Sequence, residues 1–138
     1  LVRALGGGLS DTLGRRAVIV PSMLVQALAT GMLAALALLI GARATIPVLP
    51  FLFLSGLLAG GAHGFLYPAL AALLMDQTAE ARRGSVVGIF SSVFLAGSAL
   101  GAFVFGYVIH GWSYGVMWSV LTLLLVAGFM ASFRLRPS

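Results

Sequence analysis

Charged side chains in this sequence gather into short islands, and long runs without any charge lie between them. Arg3, Asp11, Arg15 and Arg16 make the first island; Asp76, Glu80, Arg82 and Arg83 the second; Arg134 and Arg136 the third; Arg43 stands alone. The runs between them, Ala17 to Ala42, Ala44 to Met75 and Gly84 to Phe133, are 26, 32 and 50 residues long. About 20 apolar residues in a helix cross a hydrocarbon core of about 30 Å, so each run is long enough to span a bilayer. As a single helix rising 1.5 Å per residue the last run would extend about 75 Å, more than twice that core. It breaks at His110-Gly111-Trp112-Ser113-Tyr114-Gly115, where two glycines and polar side chains interrupt the apolar pattern. The pattern predicts an all-α polytopic bundle of four spans, at 17–40, 48–74, 85–109 and 116–133.

Parity gives these spans a direction. Four crossings put Arg3, Arg15, Arg16, Arg82, Arg83, Arg134 and Arg136 on one side and only Arg43 on the other. Basic loops stay in the cytosol, so residues 1–16, 75–84 and 134–138 are expected there, with both ends of the segment cytoplasmic. Trp112 and Tyr114, with Tyr107 and Trp118 nearby, suit the headgroup layer at the opposite turn. Pro47 and Pro50 mark the entry to the second span, where a missing N–H costs little, and Pro21 is expected to do the same for the first. Pro68 lies deep in the second span, so it should kink that helix and free a carbonyl that needs a partner.

Composition agrees. With 61% hydrophobic residues, 8% charged and a mean hydropathy of +1.13, too few polar side chains exist to cover a water-soluble surface. The net charge of +5 raises nucleic acid as a partner, but the arginines flank spans and form no basic stripe with aromatics, so no nucleic acid is expected. The absence of cysteine removes disulfides, thiol catalysis and thiolate metal sites. The first residue is Leu1, and the first apolar run is too long for a signal core; the sequence reads as part of a longer chain. Arginine supplies every basic residue beside abundant Ala, Gly and Leu, which hints at a bacterial source and a cell membrane.

The first island carries the most specific motif: Gly7-Gly8-Leu9-Ser10-Asp11-Thr12-Leu13-Gly14-Arg15-Arg16. Its glycines permit a tight turn against helix ends, Asp11 suits a positive helix N-terminus or an arginine, and Arg15 and Arg16 anchor the next span. Two arginines alone would be an ordinary connector. The full spacing, Gly-x-Leu-Ser-Asp-x-x-Gly-Arg-Arg followed directly by a span, resembles the signature cytoplasmic loop of the major facilitator superfamily of transporters. Thr12 departs from the pattern, which often has a basic residue after the aspartate. The resemblance implies a twelve-span fold in two six-helix halves. The order from Ser55 through Pro68 to Asp76 and Arg82-Arg83-Gly84 looks like span ten and the loop into span eleven. The segment would then be spans nine to twelve, in the carboxyl-terminal half. On that resemblance Gly7, Asp11, Gly14, Arg15 and Arg16 form a gating loop, and Asp76, Arg82, Arg83 and Gly84 a second one. The partners implied are the lipid bilayer and the amino-terminal half.

Within the spans, Gly56, Gly60 and Gly64 recur at steps of four, as do Gly97 and Gly101, a spacing that lets helix backbones approach closely in lipid. Glycine is also simply common in membrane helices. Ser55, His63 and Tyr67 fall near one face of the second span, since each step of four drifts only about 40°. His63 is an ionisable group inside a span, which marks a wet cavity and makes it a candidate for a coupling proton. A neutral histidine bonded to a neighbouring helix is the alternative. Gln26 and Thr30 are expected to bond across helices. No metal or cofactor is expected, since neither His63 nor His110 has ligand company, and no nucleophile–base set or carboxylate pair indicates an enzyme.

These readings converge on a secondary transporter of permease or efflux type that moves a small solute by alternating access. A four-span homodimeric exporter is one rival, although such a protein would need a carboxylate inside a span. A non-transporting membrane scaffold or receptor remnant is the other.

Overall fold

A computed structural model describes residues 15–133, which form four long helices. They are α1 (Arg15–Gly41), α2 (Val48–Asp76), α3 (Arg83–Gly111) and α4 (Tyr114–Ser132), with a 3-10 turn at Glu80–Arg82 leading into α3. No strand occurs among the described residues. Each helix is long and apolar enough to cross a membrane. The shortest, α4, has 19 residues and so extends about 28 Å, close to the hydrocarbon thickness.

Helix α1 is the centre of the arrangement. It packs along α2 on one flank and along α4 on the other, while α3 touches α2 and α4 only sparsely. Val18 and Ile19 near the start of α1 are buried against Ala69 near the end of α2, with Met23, Phe65, Leu66, Leu70 and Leu73 around them. The two helices are therefore antiparallel. A Cβ on Gly31 would lie 3.6 Å from Thr122, one on Gly115 would lie 2.7 Å from Leu38, and one on Gly128 would lie 2.7 Å from Met23. These glycines and the Ala-rich face of α1 let α4 approach closely. Large apolar side chains such as Leu49, Phe53 and Leu123 are exposed, and α3 buries no residue at all. Lipid is the solvent that suits such surfaces.

Polar groups are handled as hydrocarbon demands. The hydroxyls of Thr30, Ser55, Ser98, Ser119, Thr122 and Ser132 all donate to carbonyls three or four residues earlier in their own helices, and Thr78, just past α2, donates back to Leu74 O. Here the cross-helix bonds expected of Gln26 and Thr30 fail. Thr30 Oγ1 bonds Gln26 O at 3.1 Å and Ala27 O at 3.0 Å, both within α1. Gln26 Oε1 is buried and has no partner among the described residues.

The connections are tight. After α1, Arg43 N–H donates to Ile40 O at 3.0 Å and Ala44 N–H to Leu39 O at 3.0 Å, with Arg43 at φ 58°. This pairing is a Schellman closure, which normally has glycine at the left-handed position. Pro47 precedes α2 and Pro50 lies in its first turn, as expected. Pro21 does not start α1; the helix begins at Arg15, so the ring sits inside it and leaves the Ala17 carbonyl without that N–H. The break expected over 110–115 shrinks to Trp112 and Ser113. Ser113 Oγ accepts from Val116 N–H at 3.2 Å, and this N-cap starts α4 earlier than the apolar pattern implied. Helix α3 likewise begins at Arg83, two residues before the expected 85.

Candidate functional site

The two long faces of α2 do different things. Ser55, Ala62 and Ala69, at steps of seven, are buried toward α1, and Ser55 is only 1% exposed with its hydroxyl given to Leu52 O at 3.0 Å. Three steps of four carry the helix about 120° from Ser55 to Tyr67, so the drift separates them. His63 is exposed and Tyr67 partly so, on the flank that looks toward α3. The structure thus brings His63 and Tyr67 together and sets Ser55 apart.

Helix α3 completes this flank with two rings. Tyr67 lies 5.4 Å from Phe94, edge to face at 71°, and 5.5 Å from Phe90. His63 lies 6.4 Å from Phe94 and 6.3 Å from Tyr67. Offset and edge-to-face contacts at these separations are the arrangements that ring quadrupoles favour. Phe90 and Phe94 were not expected from the sequence reading. The signal was present, because their step of four on α3 mirrors the step from His63 to Tyr67 on α2.

Gly56 and Gly60 continue the same exposed side of α2, and a Cβ on either would meet nothing within 4 Å. The same holds for Gly97 and Gly101 on α3, while Gly64 is partly buried. Among the described residues, the glycines in close contact are instead those between α1 and α4.

At the turn between α2 and α3, Asp76 closes α2, Arg82 ends the 3-10 turn with its N–H on Ala79 O at 2.8 Å, and Gly84 follows in the first turn of α3. Arg83 pairs with Glu80 at 3.7 Å, and both side chains are well exposed. An ion pair of that kind contributes about 0–1 kcal/mol, so it shapes the loop more than it stabilises the fold. Arg15 and Arg16 open α1; Gly7, Asp11 and Gly14, like the tail at 134–138, lie outside the described residues.

Two grooves flank α1. One, of about 460 Å³, runs between α1 and α2 beside Val18, Pro21, Ser22, Leu57, Gly61 and Phe65, on the other flank of α2 from His63. The second, also about 460 Å³, lies where α1 ends and α4 begins, beside Gly41, Leu52, Ser113, Tyr114 and Trp118. Both are apolar. The His63–Tyr67 flank brings ring faces and polar handles together near the middle of α2.

The family model of the Major Facilitator Superfamily matches residues 1–138. No curated protein and no solved structure matches the chain.

Proposed function

The chain belongs to the Major Facilitator Superfamily, a family of membrane transporters, and on that premise we propose that it forms spans nine to twelve of a secondary active transporter. The transporter moves a small solute by alternating access across a cell membrane, in the manner of a permease or efflux pump. The family match over 1–138 carries this reading. Four helices able to cross a membrane support it, as does a histidine near the middle of one of them, since sites in such proteins lie near the midplane. His63 and Tyr67 line the solute path, and His63 is the group in these spans suited to exchanging a coupling proton. Asp11, Arg15 and Arg16 hold one closure state, with Asp76, Arg82 and Arg83 acting at the second loop. Both ends of the segment are cytoplasmic, and the amino-terminal half supplies the other wall of the path. The chemistry is binding and conformational exchange, without a covalent step.

Alternating access is tested in the full-length protein in sealed vesicles. The chain has no cysteine, so His63→Cys introduces one reactive thiol into these spans. A membrane-impermeant maleimide should label it from either side, and Asp11→Asn should change the ratio of inside to outside labelling. No labelling from either face would refute the path. An unchanged ratio would remove the gating role of Asp11.

A further inference from the structure

The ring cluster between α2 and α3 narrows the solute, in a step that rests on the transporter reading above. We propose that His63, Tyr67, Phe90 and Phe94 form the binding wall for a planar aromatic solute.

Position comes first. His63 stands one residue past the middle of α2 (Val48–Asp76), and Tyr67 is one turn, about 6 Å, further along. Neighbouring ring centroids lie 5.4 to 6.4 Å apart, along α2 and across to α3, so the four rings act as one π-rich surface. Phe94 is 42% exposed and His63 is exposed, which leaves ring area free for a further ring. An incoming planar ring meets quadrupoles already oriented for offset or edge contact.

The polar handles point the same way. Neither the imidazole of His63 nor the hydroxyl of Tyr67 has a hydrogen bond among the described residues. Polar atoms left unpaired at that depth are costly, so each takes its partner from water, from the amino-terminal half or from a polar substituent on the solute. Gly56 and Gly60 on the same side of α2 hold no side chain over the surface, and a flat molecule finds room there.

The test uses the full-length protein in vesicles with Gly60→Cys, a site where a new side chain meets nothing within 4 Å. The rate of labelling by an impermeant maleimide is followed with two probes at millimolar concentration, 4-hydroxybenzoate and its ring-saturated counterpart 4-hydroxycyclohexanecarboxylate. The aromatic probe should slow labelling at least ~3-fold, and the saturated one should leave it unchanged. Tyr67→Leu and Phe94→Leu should each raise the protecting concentration about 5- to 10-fold, the loss expected for one aromatic contact. Equal protection by the saturated ring, or no protection at all, would overturn the aromatic assignment while leaving the transport path standing. A thiol at 60 that cannot be labelled at all would overturn both.

Discussion

Gln26 illustrates how a residue's chemistry is decided by what surrounds it. Its Oε1 is buried without a partner among the described residues. An unmade bond at a buried acceptor costs about 1–3 kcal/mol, so removing the acceptor while keeping the shape should help. Gln26→Met is expected to raise stability by about 1 kcal/mol, read as a shift in the unfolding midpoint in detergent. A loss of similar size would mean that the amide has a partner after all. The glycines of the α1–α4 contact differ from one another in a way the same measurement resolves. At Gly128 a new Cβ meets only Met23 Cε at 2.7 Å, the end of a flexible chain that can swing aside. At Gly115 it meets Leu38 Cδ2 at 2.7 Å and Cγ at 3.1 Å, closer to a stiff branch point. Gly115→Ala should therefore cost about 1–3 kcal/mol, and Gly128→Ala less than about 1. Equal costs would show that Leu38 repacks as easily as Met23. Neither contact was legible in the sequence, because Gly31, Gly115 and Gly128 share no step of four and name their partners only once α1 and α4 are side by side.

Helices as elements were legible and their ends were not. Uncharged runs fixed the four spans to within a few residues, since only charge and turn residues interrupt apolar helices in lipid. The ends follow from caps, which depend on a few backbone bonds. Ser113 captures Val116 N–H and starts α4 at Tyr114, although Tyr114 and Gly115 read as turn residues. At the end of α1, Arg43 occupies the left-handed position of the Schellman closure at φ 58°. An L side chain there costs roughly 1–2 kcal/mol that glycine avoids. Arg43→Gly is expected to stabilise the α1–α2 turn by about 1 kcal/mol, whereas Arg43→Ala, which keeps its Cβ, should gain nothing. Denaturant midpoints of the two variants decide it, and an equal gain for both would assign the effect to the charge instead. On α2 the step of four linked His63 to Tyr67 correctly, yet the same rule carried back to Ser55 accumulates too much rotation.

At the scale of the whole molecule, the neighbour relations were hidden for a physical reason. In water an amphipathic helix marks its buried face with apolar residues, but in a bilayer the outer face is equally apolar. Nothing along the runs announces that α1 sits between α2 and α4 or that α3 stands almost apart. Direction across the membrane is different, because charge must stay in water and basic loops stay inside. The antiparallel order of the helices puts the turn after α1 and the turn after α3 at one end, and the Glu80–Arg83 turn at the other. Among the described residues Arg43 marks the first end, while Arg15, Arg16, Arg82 and Arg83 mark the second. Single cysteines at exposed positions should report this. In intact cells Ala44→Cys and Trp112→Cys should react with an impermeant maleimide, and Ala79→Cys only after permeabilisation. The bias of seven arginines against one is large enough that reversing it should need several substitutions, so Arg43→Gly must leave the labelling pattern unchanged. If the thiols at 44 and 112 reacted on opposite faces, the hairpin order would be wrong, and with it the cytoplasmic position of every loop from which gating is argued.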